Sequence, residues 1–209
     1  MADGPDTKTK ILEAAFRLFH EQGYHATSVS TILREAGINS GSLYHFFDSK
    51  ERLLEGVLRW ALDALRPLVM NAVEARTDDP IERIFALLDQ YRDGMKRFGC
   101  RMGCPIGNLA LEVADDHPEA RTLIHQNFAN WSAVVKGWLD ASGDRLPATC
   151  NREQLSKMVL TVMEGAIMQA RAAGNLQPFD DSVAQFRAYI DALKREAAGT
   201  RKPVAATMV

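Results

Sequence analysis

Two stretches of this 209-residue chain concentrate side chains that can do chemistry. The first runs from Gly23 to Leu54, GYHATSVSTILREAGINSGSLYHFFDSKERLL. A very short helix is expected around Ser40–Phe46, with Ser40, Gly41, Ser42, Tyr44 and His45 outward and Leu43, Phe46 and Phe47 inward. Small hydroxyls and a phenol donate hydrogen bonds without bulk that would hold a helix away from a phosphate-lined groove. Ser49-Lys50-Glu51 opens the next helix, and a helix N-terminus with a lysine beside it suits a phosphate. The second stretch is Phe98 to Glu112. Gly103 and Gly107 flank Cys104-Pro105, which reads as a loop entering a helix with Pro105 at its first position. Cys104 then lies where a helix dipole lowers a thiol pKa, with Arg101 able to add to the effect. The alternative is a cysteine that merely packs as a small hydrophobe. Cys100 and Cys104 stand as CxxxC with no Cys or His cluster to complete them, and His117 and His125 lie eight apart, so neither a metal site nor a cofactor is expected.

These residues need elements to hold them, and the apolar spacing is helical nearly throughout. Ile11, Leu12, Ala15, Phe16, Leu18 and Phe19 form one stripe, ended by Gly23. Val29, Ile32, Leu33 and Ala36 form a second, stopped by Gly37 as a C-cap. Two short helices across Ala36-Gly37-Ile38-Asn39 have the shape of a helix-turn-helix, with Ile38 as the apolar plug. A long fourth helix starts at Ser49, and Pro67 inside its pattern predicts a kink. Asp79-Pro80, His117-Pro118, Asn151 with Gln154, and Asp180 or Asp181 after Pro178 mark later starts. No segment alternates convincingly as a strand. The expectation is an all-α chain of about nine helices. Residues 1–50 form a three-helix domain, 51–198 a helical second domain, and 199–209 a flexible tail without amphipathic pattern.

Composition narrows the function. The chain is 46% hydrophobic and 25% charged with net charge −2, an ordinary globular balance rather than a disordered one. No stretch reaches 18 uncharged apolar residues, so no membrane partner is expected. A polar N-terminus without an apolar core, and three cysteines, point to a reducing cytoplasm. Residues 1–50 hold five Lys/Arg against six Asp/Glu, so positive charge at a nucleic acid must be focused by geometry. No nucleophile elbow, phosphate loop or paired carboxylates speak for an enzyme.

The Gly23–Leu54 stretch resembles the DNA-binding domain of the TetR family of bacterial transcriptional regulators. Phe16, Phe19, Gly23, Thr27, Ala36-Gly37-Ile38, Gly41, Leu43-Tyr44, Phe47 and Ser49-Lys50-Glu51 stand in the family's order and spacing, over about residues 8–55. The resemblance implies that Thr27 and Ser28 contact phosphate, that Asn39, Ser40, Ser42, Tyr44 and His45 face the major groove or its edges, and that Lys50 binds phosphate. Ser40 departs from the Lys, Arg or Pro frequent there, and Phe46 replaces a frequent histidine. The implied partners are double-stranded operator DNA, a second copy of the chain and a small-molecule effector. The implied function is a repressor released by that effector, or by oxidant or electrophile modification of Cys104. A helical interaction protein that binds no DNA is the rival of another class.

A two-fold operator requires a dimer. Its seam is expected on the last two helices, over about 152–173 and 181–197. Leu155, Val159, Met163 and Ala166 lie on one stripe, and Phe186 and Ile190 on the other. For an apolar effector, Phe128, Trp131, Val135 and Trp138 share a helix face that can line a pocket or pack as core. Asn108 and Glu112, one turn apart, are candidate polar anchors.

Overall fold

The computed structural model describes residues 6–200, without the side chains of Ser40 and Ser42, and among these residues it is entirely helical. Helix α1 (Thr7–Gln22) is capped by Asp6, whose side chain accepts the Thr9 N–H at 2.7 Å. It buries Ile11, Leu12, Ala15, Leu18 and Phe19 and stops at Gly23, whose φ of 88° other residues rarely adopt. Ser28 caps α2 (Val29–Ala36), accepting the Thr31 N–H at 3.1 Å. Gly37 is left-handed, and the Ile38 N–H reaches back to the Leu33 carbonyl at 3.0 Å, which closes the α2 terminus and turns the chain into α3 (Ser40–Phe46). Leu43 and Phe47 anchor α3 in the core. Phe46, expected inward, is 38% exposed beside the His45 ring, because only one face of a two-turn helix can meet α1 and α2.

Ser49 caps α4 (Lys50–Leu65). The irregularity expected at Pro67 is a π-helical turn, Arg66–Met70, which leads into α5 (Asn71–Glu74). A proline has no N–H to give, and a single wider turn absorbs the misfit. Next come α6 (Pro80–Arg97), α7 (Pro105–Val113), α8 (Pro118–Ala141), α9 (Arg152–Ala173) and α10 (Gln177–Thr200). With Lys50–Glu74 counted as one interrupted rod, the described residues form nine α-helices. Asp79 and Asn151 cap α6 and α9. The last helix begins at Gln177, ahead of the expected Asp180 or Asp181, because Pro178 falls in its first turn, where no N–H donor is required. It also runs through Gly199 and Thr200, which the sequence assigns to a tail; residues 201–209 lie outside the described ones.

One core runs from Ile11 to Ile190 across both expected domains. Helix α9 packs between α8 and α10, so its apolar stripe is consumed within the chain. Leu155, Val159, Met163 and Ala166, and Phe186 and Ile190 of α10, are all buried in a single copy. These six residues are therefore core rather than an exposed seam. The faces left to solvent carry Met158, Met168 and Tyr189 instead. Bidentate Arg92–Asp180, at 2.6 and 2.7 Å, ties α6 to α10.

Met163→Glu should accordingly cost several kcal/mol of stability, as a charge forced into a sealed core does. A melting curve should show a large Tm loss or no folded protein. A folded monomer of wild-type Tm would place Met163 on a surface.

Candidate nucleic-acid interface and effector region

The polar outer face of the α2–α3 unit is where the sequence places it. Tyr44 is 59% exposed, and Asn39 and His45 are exposed alongside it. Ser28 is at the surface, hydrogen bonded to the Ser30 and Thr31 hydroxyls. The Ser40 and Ser42 side chains lie outside the described part of the structure. Thr27 differs from expectation: its side chain is buried, and its hydroxyl donates to the Gly23 carbonyl at 2.6 Å and the Leu18 carbonyl at 3.3 Å. It secures the α1–α2 corner and has no proton left for a phosphate. Lys50 is half-buried: its Nζ donates to the Tyr24 carbonyl at 2.6 Å and lies 4.2 Å from the centre of the Tyr24 ring. Burial pulls its pKa down, against the nearby charges of Glu112 and Glu51.

Tyr24 is a residue that sequence reasoning passes over. It is buried among Phe19, His25 and His117, and its phenol pKa is pushed up to about 12, chiefly by burial. Its N–H and that of His25 donate to the two carboxylate oxygens of Glu112, at 2.8 and 2.6 Å. Glu112 is therefore a clasp between α7 and the α1–α2 loop, not an anchor in a pocket. Helix period places it one turn from Asn108, but its partners come from 88 and 87 residues earlier in the chain. A second tie runs beside it, from His20 Nε2 to the Gly103 carbonyl at 2.6 Å.

Helix α7 begins at Pro105, as expected, with Cys104 as its cap, and the Cys104 sulfur accepts the Gly107 N–H at 3.4 Å. The thiol is nonetheless fully buried, and its pKa is well above the ordinary value, because of burial first and the Glu164 carboxyl second. The dipole contribution loses to desolvation, which favours the packing alternative for Cys104 over the thiolate one. The half-buried Tyr91 lies against the same thiol, and burial raises the Glu164 pKa. Gly107 leaves room for the Glu164 side chain, with which a Cβ there would collide.

Two cavities flank this cluster. An open cleft of about 1140 Å³ lies between α7, α8 and α9, lined by Asn108, Phe128 and Glu164 among others. Asn108 is engaged there, accepting from Arg171 Nη1 at 2.6 Å. A smaller chamber of about 300 Å³ lies between α1, α4, α6, α7 and α8, and Trp131 is on its wall. Trp138 belongs to neither; it is buried, and its Nε1 donates to Glu74 at 3.0 Å. The shared face of Phe128, Trp131 and Trp138 is thus split between cleft, chamber and core, because α8 is long enough to meet different neighbours along its length. Among the described residues no group of His, Cys, Asp or Glu is placed to hold a metal ion, and no helix is long and apolar enough to cross a membrane.

Known proteins sharing this arrangement are bacterial regulators. Residues 11–57 match the family of bacterial regulatory proteins, tetR family, and residues 80–185 match the LmrA/YxaF-like C-terminal domain of transcriptional regulators. The chain is 32% identical to YxaF of Bacillus subtilis (strain 168), an HTH-type transcriptional regulator, over 80% of this chain and 86% of that protein. It is also 32% identical to LmrA of the same organism, over 83% and 90%. The chain belongs to the TetR family of transcriptional regulators. TetR-family regulators bind DNA through this helix-turn-helix, and the matched relatives include the repressor KstR2 of Rhodococcus jostii (strain RHA1), 45% identical over 33% of this chain and 36% of that one. Among solved structures, reduced NemR of E. coli superposes with a TM-score of 0.78 at 22% identity, covering 87% of this chain and 95% of NemR.

Two measurements check the buried cluster of this TetR-family regulator. Iodoacetamide should modify half-exposed Cys150 well before Cys104, followed by peptide mass mapping; Cys104 reacting first in folded protein would contradict the burial. A raised folded-state pKa makes ionised Glu164 a liability that is absent below the unfolded carboxyl value near 4.5 and complete once pH passes the folded value. Glu164→Gln should therefore raise Tm more at pH 8 than at pH 4, and an equal change at both would refute it.

Proposed function

We propose that this chain is a homodimeric, sequence-specific repressor that a reversible small-molecule effector releases from its operator. The carrying observation is the outer face of α3. Tyr44, His45 and the neighbouring Asn39 stand in solvent, while Leu43 and Phe47 fix the helix from behind. A side chain that costs this much exposed aromatic surface, on a short rigid helix in a DNA-binding family, is explained by a groove. Ser28 supports the reading as a phosphate donor at the start of α2. Lys50 retains two donors beyond the one spent on Tyr24, so it stays a candidate for phosphate contact.

The second copy covers the outer faces of α9 and α10, where Met158, Met168 and Tyr189 are exposed. Dimerisation sets the two α3 helices about one DNA turn, ~34 Å, apart. The effector acts by population shift: it binds more tightly to the arrangement whose α3 spacing no longer fits. Helix α7 is suited to carry that bias. Its start touches Tyr91 and Glu164 through Cys104, and its far turn holds Tyr24 and His25 through Glu112.

Tyr44→Phe tests the reading directly. Removing one hydroxyl should weaken operator affinity by about 1 kcal/mol, roughly fivefold, in a gel shift on the chain's own upstream region. Tm should not move, since the phenol is exposed. Unchanged affinity would take Tyr44 out of the interface.

A further inference from the structure

Helix α3 is only seven residues long, yet it carries two of the eight large apolar side chains left exposed among the described residues, Tyr44 and Phe46. At about 100° per residue, buried Leu43 and Phe47 point into the core within about 40° of each other. Gly41 and His45 therefore face straight out, and Tyr44 and Phe46 lie on opposite flanks of that outward face. Tyr44 is 59% exposed and Phe46 38%. The two flanks differ in chemistry. Tyr44 ends in a hydroxyl that can donate to a phosphate. Phe46 has no polar atom, so neither a phosphate nor a base nitrogen or oxygen rewards its place there. Its ring stands edge-on to the His45 imidazole, with centroids 5.0 Å apart at 74°. An apolar ring is thereby held next to the residue at the centre of the outward face.

A helix of about 10–12 Å diameter fills a major groove about 12 Å wide, so residues on its flanks meet the groove walls. Among the groups that base pairs present there, the thymine 5-methyl is the apolar one. We propose that Phe46 is a specificity-determining residue of this regulator, which reads a thymine in each operator half-site by van der Waals contact with its 5-methyl group. The proposal deepens the repressor reading above and rests on its DNA-binding part. Phe46 is continuous with Tyr44, His45 and Asn39, which form the surface proposed for the operator. Contact with the methyl takes apolar surface of both partners out of water. Uracil at the same place keeps every hydrogen-bonding atom of thymine and lacks only that methyl, so it isolates the contact.

Exchange of uracil for thymine in the operator decides it. The operator is selected from random duplexes with the full-length protein, then made with thymine or with uracil throughout. Both forms are titrated by fluorescence anisotropy against the wild type, Phe46→Ala and Phe46→Leu. The wild type should prefer the thymine form about fourfold per half-site, as burial of one methyl group implies, and so roughly 15-fold for a two-fold operator. Phe46→Ala should bring the ratio close to one, and Phe46→Leu, which keeps an apolar side chain of some reach, should retain much of it. Each ratio compares two duplexes on the same protein, so a change in stability or in overall affinity cancels. Uracil placed at one thymine at a time in wild-type complexes should trace the loss to one position per half-site. Equal wild-type affinity for the two forms, a wild-type ratio in Phe46→Ala, a ratio near one in both variants, or a loss spread evenly over many thymines overturns the assignment. A wild type that enriches no sequence sinks the repressor reading and this one with it, whereas tight binding that ignores the methyl sinks only the role of Phe46.

Discussion

The carboxylate of Glu112, accepting the N–H groups of Tyr24 and His25, is the contact on which the positioning of the recognition surface depends. Those two amides follow Gly23, where α1 has ended and no helical carbonyl is available to them. Lys50 takes the Tyr24 carbonyl from the other side, and Thr27 closes the Gly23 carbonyl. The backbone polar groups of the α1–α2 corner are thus satisfied by side chains from α7, α4 and the corner itself. Hydrogen bonds to charged groups are among the stronger ones, and this set joins the helix-turn-helix to the rest of the chain. A shift of α7 therefore drags the corner with it, and α2 and α3 are packed on that corner.

Helix α7 is short, and its two ends meet different chemistry. At the start, the buried Cys104 thiol meets the half-buried phenol of Tyr91 and carboxyl of Glu164, and burial raises the pKa of all three. Partly buried polar clusters of this kind respond to any neighbour that alters their solvation or hydrogen bonding. The smaller chamber lies on one side of them and the larger cleft on the other. Nothing flexible separates a change in either cavity from the Glu112 clasp except two turns of helix.

Burial decided the fate of several residues whose types alone were ambiguous. A cysteine before a proline at a helix start has the dipole geometry of a thiolate, yet desolvation outweighs a dipole once the sulfur is sealed from water. A threonine before a helix cap has a hydroxyl for phosphate, yet Thr27 turns inward to the Gly23 and Leu18 carbonyls. The stripe of Leu155, Val159, Met163 and Ala166 is as apolar as a dimer seam. Apolar spacing records that a face is buried and is silent on which surface buries it.

The helices, their caps and the helix-turn-helix were legible in the sequence, because capping, glycine stops and 3.6-residue periodicity are local. Asp79, Asn151 and Gly37 act within a few residues of themselves, and the TetR-type run from Gly23 to Leu54 is a compact local pattern. The all-α fold and the exposed Tyr44 follow from that local information. Three things needed the tertiary structure: the Glu112–Tyr24 clasp, the burial of Cys104, and the chamber holding Gln90 and Asn127. Each joins residues tens of positions apart, on helices whose relative rotation is set by packing. The one sequence trace of the chamber is Asn127, a lone amide on the apolar face of Leu123, Ile124 and Trp131; its meaning depends on Leu58, 69 residues away, which only the folded chain brings to it.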